Sequence, residues 1–263
     1  MVVANLSGGR DSTCMVVKWL EMGNKLDYIL FCDTKYEFKE MYEYIDKIES
    51  YLLKHFNQAL TRIKSSEGIE EWAFMKPITR GREEGRFRGL PKVVGRDYCT
   101  RETKIRPSRD FVVSKSPNKF KNSVLIGYTF NEVENGRVSN LDYAISRYPL
   151  HEWRFNEPEV ESFLKKRGIA NPLYRYFDRT GCFLCPKQNL KSLYNLYLHY
   201  PKEWEFMKAW EARAKALDCV TQTFKIDISL ESLESRFKDK ANEQKLFKDF
   251  EKEYKHEHTC FCR

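Results

Sequence analysis

The stretch that most constrains this chain is Val2–Ser12, Val-Val-Ala-Asn-Leu-Ser-Gly-Gly-Arg-Asp-Ser. Val2 to Leu6 have the length and apolar character of a short buried β-strand. Cys14 to Leu20 begin a helix whose apolar side carries Met15, Val16 and Leu20. Between them stand two adjacent glycines. Gly8 and Gly9 have access to backbone angles closed to other residues and let the main chain approach a ligand closely. The amides of the turn and of the first helical turn then point outward as donors at the positive end of the helix dipole. A strand, a glycine turn and a helix in that order make an anion site suited to phosphate. Ser7 and Ser12 add hydroxyl donors, and Arg10 adds a planar cation. A glycine pair alone would serve equally well as a plain bend, so the weight falls on the whole string.

The pattern repeats downstream. Lys25 to Asp33 reads as a second hydrophobic strand. Phe38 to Phe56 reads as a helix with Phe38, Met41, Ile45, Ile48, Leu52 and Phe56 on one face, and Ala59 to Ile63 as a third strand. Strands alternating with helices predict an α/β fold, a three-layer parallel sheet with helices on both faces. Ligands of such sheets bind at the carboxyl ends of the strands, which puts Asp33 and Thr34 beside the glycine turn. A further core strand is expected at Ser123 to Gly127, and a helix at Glu157 to Arg167 burying Val160, Phe163 and Leu164. Helices near 189–199, 203–217 and 230–256 form a helical C-terminal appendage.

Composition bounds the setting. A chain of 263 residues with 41% hydrophobic content suffices for one large domain with an appendage. No apolar run reaches the roughly 18 residues of a membrane span, and no basic n-region precedes the first strand, so a cytoplasmic protein is expected. The 8 cysteines fall at uneven spacings, which suits metal-binding or catalytic thiols in a reducing compartment better than a disulfide framework. A formal net charge of +8 favours anionic partners. Much of that charge lies in residues 76–106, where Gly81, Gly85, Gly89, Gly95, Pro77 and Pro91 break periodicity and predict a mostly irregular loop. It holds Lys76, Arg80, Arg82, Arg86, Arg88, Lys92, Arg96, Arg101, Lys104 and Arg106, against Glu83, Glu84, Asp97 and Glu102. A nucleic acid backbone is one partner for such a loop and a small anionic substrate another; a solvated basic loop without a ligand is the plain alternative.

Several ordered pieces resemble one family. Ser7-Gly-Gly-Arg-Asp-Ser12 resembles the pyrophosphate loop of the adenine-nucleotide α-hydrolase (PP-loop) superfamily, usually Ser-Gly-Gly-Lys-Asp-Ser, with Arg10 in the lysine position. Asp33-Thr34-Lys35-Tyr36-Glu37 is similar to the Asp-Thr-Gly-x-Glu element of phosphoadenosine phosphosulfate (PAPS) reductases. Cys99-Thr100-x-x-x-Lys104-Ile105-x-Pro107 resembles their Cys-Cys-x-x-Arg-Lys-x-x-Pro element. The version here, with Gly89 ahead of it, is closer to the branch that contains the sulfurtransferases of DNA phosphorothioation. Ser146-Arg147-Tyr148-Pro149-Leu150, Trp153, the following helix, Pro172-Leu173-Tyr174 and Gly181-Cys182-x-x-Cys185 continue the same order. The chain is identified as a member of this family from residue 2 to about 186, with 187–263 as the helical region.

The resemblance implies a nucleotide site, a catalytic set and a cluster. ATP, or PAPS, binds on Ser7, Gly8, Gly9, Arg10, Asp11 and Ser12, with Asp33, Thr34 and Gly127 completing the nucleotide site and magnesium accompanying it. Arg10, Asp11, Lys104 and Arg147 are the expected catalytic residues. The cysteines of the two resembling elements, Cys99, Cys182 and Cys185, are expected to hold a [4Fe–4S] cluster. The fourth ligand is Cys262, Cys219 or Cys260, or the cluster keeps an open iron; Cys262 is the one carried into the expected site. Soft thiolates suit an iron–sulfur cluster or zinc, and a structural zinc or a redox pair are the other readings of Cys182-x-x-Cys185. Cys14 and Cys32, in apolar elements, read as core residues.

The expected activity is that of an ATP pyrophosphatase that activates an acceptor for sulfur transfer. A nucleic acid acceptor, a sulfur donor such as a cysteine desulfurase and a homodimer are the partners in view. Reduction of PAPS or adenylylsulfate to sulfite and a non-catalytic nucleotide- or nucleic-acid-binding module are the alternatives. The ending Thr259-Cys260-Phe261-Cys262-Arg263 lacks the Glu-Cys-Gly-x-His signature of the reductases, which favours ATP.

Overall fold

A computed structural model describes residues 1–91 and 98–239. In chain order the elements are β1 (Val2–Asn5), α1 (Arg10–Glu21), β2 (Tyr28–Asp33), α2 (Lys39–Phe56) and β3 (Leu60–Lys64). Then come a π-helical turn (Glu71–Met75), the single turn α3 (Tyr98–Thr100), a second π-helical turn (Arg101–Ile105) and α4 (Arg106–Lys115). They are followed by β4 (Ser123–Leu125), α5 (Phe130–Glu134), β5 (Ile145–Arg147), α6 (Pro149–Glu152) and α7 (Glu157–Lys166). The last described helices are α8 (Leu190–His199), α9 (Pro201–Ala216) and α10 (Leu230–Lys238). The expected helix beyond residue 238, with Lys92, Arg96, Cys260 and Cys262, lies outside the described residues. The chain divides into two compact units, Met1–Ser65 with Thr103–Leu173, and Ser66–Glu102 with Tyr174–Arg263.

The first unit is built on a sheet of five parallel strands in the order β3-β2-β1-β4-β5. In the register, Val3 lies between Tyr28 and Val124, and Leu30 lies beside Thr61. Successive residues of a strand alternate between faces. Val3, Leu30 and Val124 therefore share one face, where they pack in a core cluster with Val112 of α4, Tyr143 and Ala144. The opposite face carries Arg62, which donates to Asp46 and Glu49 of α2, each at 2.6 Å. Helices cover both faces, as the alternation of elements predicts.

α2 buries Met41, Tyr44, Ile45, Ile48 and Leu52, the spacing of one helical stripe. α7 begins with a capping box, Asn156 with Glu159, and buries Val160, Phe163 and Leu164. β5 was not expected from the pattern. With only three residues, at a sheet edge and with Ile145 48% exposed, it carries almost no periodic signal.

In the second unit, α8 and α9 pack on each other and α10 on α9. Trp204 lies against Tyr197 and Phe237, and Phe74 meets Trp210 edge-on at 5.0 Å. Glu211, buried in α9, accepts from the amides of Phe224 (3.0 Å) and Leu230 (2.8 Å), pinning the loop before α10. The segment expected as irregular is partly ordered. Residues 77–87 fold back on themselves through a Pro77–Phe87 bridge and the bonds Ile78 N to Arg86 O and Gly85 N to Ile78 O. Its base is stitched to residues 218–221 by Val220 N to Phe87 O, Thr221 N to Arg88 O and Leu90 N to Thr221 O. No helix among the described residues is long and apolar enough to cross a membrane.

Candidate functional site

The strand order reverses at β1, since β2 lies to one side of it and β4 to the other. Crevices at such switch points, outside the carboxyl ends of the strands, are where open α/β sheets bind ligands. The turn Leu6–Gly9 leaves β1 at this point. Gly8 has φ +79°, and a Cβ there would stand 2.4 Å from Met41 Sδ. Gly9 does not use its freedom. It has φ −71° and ψ 157°, open to any residue, and its place is that of the N-cap of α1. The helix starts earlier than its apolar stripe indicates, so Arg10, Asp11 and Ser12 form its first turn.

Ser12 Oγ ties the turn together. It accepts from Ser7 N (3.1 Å), donates to Gly9 O (3.1 Å) and lies 3.0 Å from Ser7 Oγ. Thr13 Oγ1 also donates to Gly9 O, at 3.0 Å. No side chain caps α1, which leaves its amide end for a ligand. At the end of β4, Gly127 touches this turn: a Cβ there would lie 2.8 Å from Ser12 N and 2.9 Å from Ser12 Cα. Gly127 therefore earns its place by letting β4 abut the α1 N-terminus.

Asp11 projects from that helix end with Oδ1 buried and without a hydrogen-bond partner. Burial pushes its carboxyl up to about 6, against the opposing pull of Arg10. Arg10 pairs with Glu157 of α7 at 2.5 Å and approaches Asp11 at 3.9 Å. An unpartnered carboxylate oxygen beside an uncapped helix is donor chemistry that fits a nucleotide-borne magnesium.

At the end of β2, Asp33 Oδ1 accepts from Lys35 N (2.8 Å) and Tyr42 OH (2.7 Å). Lys35 has φ +68°, a left-handed conformation at the position where the resembling motif has glycine. The bond from Asp33 makes an Asx-type turn that holds it there. Thr34 Oγ1 donates to Glu37 Oε1 (3.0 Å) and accepts from Tyr36 N (3.3 Å), so this hydroxyl serves the turn itself. Lys104, from the second π-helical turn, brings Nζ to 3.9 Å from Glu37 Oε1. Arg147, at the end of β5, is held by Glu152 through Nε (3.2 Å) and Nη2 (2.8 Å) and lies 5.0 Å over the Trp19 ring.

Residues that pattern reasoning missed complete this edge. Asn171 Nδ2 donates to Gly8 O at 2.8 Å while its Oδ1 accepts from Leu173 N, so a distant residue fixes the turn. Arg137 lies 4.2 Å over Tyr128, which stacks on Tyr148, and is ion-paired with Glu132. Its Nε is buried without a hydrogen-bond partner. Glu132 and Arg137 both act on the Asp11 carboxyl, Glu132 raising and Arg137 lowering its affinity for a proton. No spacing rule connects positions 132 and 137 to position 11.

The cysteines divide by unit. Cys14 is buried and Cys32 half-buried in the first unit, where burial pushes their thiols up to about 12 and about 11, as for inert thiols. Cys99, Cys182 and Cys185 are all half-buried in the second unit. The last two share a turn closed by Cys185 N to Cys182 O at 3.2 Å. Cys219 is 1% exposed. Among the described residues no group of three or more His, Cys, Asp or Glu side chains is arranged to hold a metal, and Cys262 lies outside them. The soft donors suit a cluster, but the described residues alone do not assemble one.

Fold and site together define an all-parallel α/β protein with a glycine turn and an uncapped helix end at its topological switch point. Residues 1–188 match the phosphoadenosine phosphosulfate reductase domain, and the chain belongs to that family. Two uncharacterized proteins of Methanocaldococcus jannaschii are similar to it. One is 26% identical over 219 residues, covering 80% of this chain and 40% of the relative. The other is 24% identical over 193 residues, covering 69% and 40%. The chain thus spans about two fifths of the length of the curated relatives it matches. Among solved structures, a phosphoadenylyl-sulfate (PAPS) reductase from Candida auris in its phosphate complex is similar at 15% identity and a TM-score of 0.46, over 69% of this chain and 80% of that one. The U34-tRNA thiolase NcsA from Methanococcus maripaludis, with its [4Fe-4S] cluster, is similar at 13% identity and a TM-score of 0.38, over 89% and 80%.

Proposed function

We propose that this protein binds ATP on the Ser7–Ser12 turn and cleaves it to AMP and pyrophosphate, activating an acceptor for sulfur transfer. The observation that carries this reading is the uncapped N-terminus of α1 at the switch point, with Gly127 packed against its first turn. Such a site holds pyrophosphate by backbone amides and the helix dipole. Ser7 and Ser12 add hydroxyl donors, and Arg10 and Lys104 add positive charge. An acceptor oxygen attacks the α-phosphorus and pyrophosphate departs; a sulfur nucleophile then displaces AMP. Positioning and charge neutralisation supply most of the rate in such transfers. Asp11 would hold a magnesium ion carried by the nucleotide, or orient a reacting group, from the same helix end.

The sulfur comes from a separate donor of the cysteine-desulfurase kind. A nucleic acid acceptor is supported by the exposed tip of the 77–87 hairpin with Arg80 and Arg82. Reduction of PAPS to sulfite is the second reading, favoured by the family's own chemistry. One experiment separates them: the full chain is incubated anaerobically with ATP or PAPS and candidate acceptors, and products are resolved by chromatography. AMP and pyrophosphate from ATP, lost in Gly8→Ala, are expected. Sulfite from PAPS with no ATP turnover would replace this function by the reductase. Binding of either nucleotide without turnover would leave a nucleotide-binding module.

A further inference from the structure

Glu37 is the most deeply buried carboxylate at the carboxyl edge of the sheet, with its side chain only 2% exposed. One oxygen accepts from Thr34 Oγ1 at 3.0 Å and faces the Lys104 ammonium at 3.9 Å. The other, Oε2, is buried with no hydrogen-bond partner. Lys104 is 39% exposed, so its ammonium straddles the boundary between this acid and solvent. Among the described residues, Lys104, Asp33 at the end of β2 and Tyr42 of α2 act on Glu37, and Lys64 of β3 reaches Asp33 at 3.6 Å. Burial raises the Glu37 carboxyl above the usual range, and Lys104 pulls it back.

We infer that Glu37 is the positioning residue for Lys104, holding its ammonium at the strand ends until a polyphosphate arrives and taking up a proton when the ammonium turns to that anion. The inference rests on the proposed nucleotide site. The physics is a choice between two partners. A buried carboxylate is tolerated while a cation faces it and becomes costly when that cation is drawn away. The low-cost response is to neutralise the acid by a proton from solvent. Binding an anion through Lys104 then consumes a proton, and by linkage affinity falls as pH rises. Thr34, bonded to the same carboxyl, keeps Glu37 aimed at Lys104 in either state.

The test is calorimetric titration of the full chain with ATP in two buffers of different ionisation enthalpy, repeated across pH 5.5–8. The parent should take up a proton fraction on binding, with affinity declining toward higher pH. Glu37→Gln, neutral and of the same shape, should lose part of that uptake and flatten the decline. Lys104→Met should bind about tenfold more weakly or worse and lose the same part of the uptake, although Glu37 is intact. A purely structural Glu37 would not give this second result. Asp11 also titrates near the turn and is intact in all three proteins, so its contribution cancels in the comparison. If the parent binds ATP and Glu37→Gln keeps the full uptake, the inference fails while the nucleotide site stands. If Lys104→Met binds as tightly as the parent, Lys104 is not at the anion and the inference fails again. If the parent binds no adenine nucleotide, the proposed site falls and the inference with it.

Discussion

At Gly8 a single backbone angle carries the site. The left-handed φ costs a residue with Cβ about 1–2 kcal/mol, and here the new atom would also press on Met41 Sδ. Gly8→Ala is therefore expected to lose about 1–2 kcal/mol in a denaturant titration and to weaken ATP binding, whereas Gly9→Ala is expected to leave stability nearly unchanged. Asp11 makes a second case. Burial holds its folded carboxyl at about 6, above the usual carboxylate value of 3.8. The folded protein holds this proton more tightly than the unfolded chain, so the contribution is fully present at low pH and is lost as pH rises through about 4 to 6. Asp11→Asn should accordingly raise Tm at pH 7 by about 6–12 °C, the effect of about two pKa units at this chain length, and show little gain at pH 4, read as the difference between variant and parent melting curves. A variant that melts below the parent at pH 7 would mean that Asp11 is held by partners rather than strained by burial.

At the scale of an element, the 77–87 hairpin is where basic residues separate by role. Arg86 is engaged with Glu83 (2.6 Å) and the Asp218 carbonyl (2.9 Å), and Arg88 with the Lys76 carbonyl (2.7 Å) over Trp72. These two hold the hairpin to its surroundings. Arg80 and Arg82 at the tip are exposed and are the ones placed to meet phosphates. If the acceptor is a nucleic acid, Arg80→Ala with Arg82→Ala should lower the slope of log affinity against log salt by about 1.8 for a duplex, or about 1.4 for a single strand. Gel-shift or anisotropy measurements over a salt series would show it. An unchanged slope would remove the hairpin from the acceptor site. Charge counting along the segment could not make this division, because the partners include backbone carbonyls, one of them, at Asp218, 132 positions away.

For the whole molecule, the second compact unit is discontinuous, joining Ser66–Glu102 to Tyr174–Arg263. Phe74 packs on Trp210, Glu70 pairs with Arg213 at 2.5 Å, and Gly89 bridges to Thr221. A chain ending at Pro186 would strip the earlier segment of all three partners. It is expected to show increased protease cleavage within 66–102 and to expose apolar surface, seen as dye binding. Glu211→Ala tests the same unit within the intact chain. It leaves the Phe224 and Leu230 amides buried without acceptors, at about 1–3 kcal/mol each, and should reduce stability accordingly in chemical denaturation.

The sequence by itself determined what local chemistry determines: the apolar strands, the α2 stripe, the glycine turn and the helix that follows it. Period and turn residues report directly on these, and the ordered motifs gave the family. It did not show that Gly8 alone of the pair needs its freedom, that Lys35 takes a left-handed angle on the strength of Asp33, or that β5 exists. Nor did it show Asn171 holding the Gly8 carbonyl, Arg137 and Glu132 acting on Asp11, or Glu37 facing Lys104. The tertiary structure decided those, because the strand order of a parallel sheet brings together residues that no periodicity along the chain connects. Burial and partners at that shared edge then set each side chain's charge, its angle and its role.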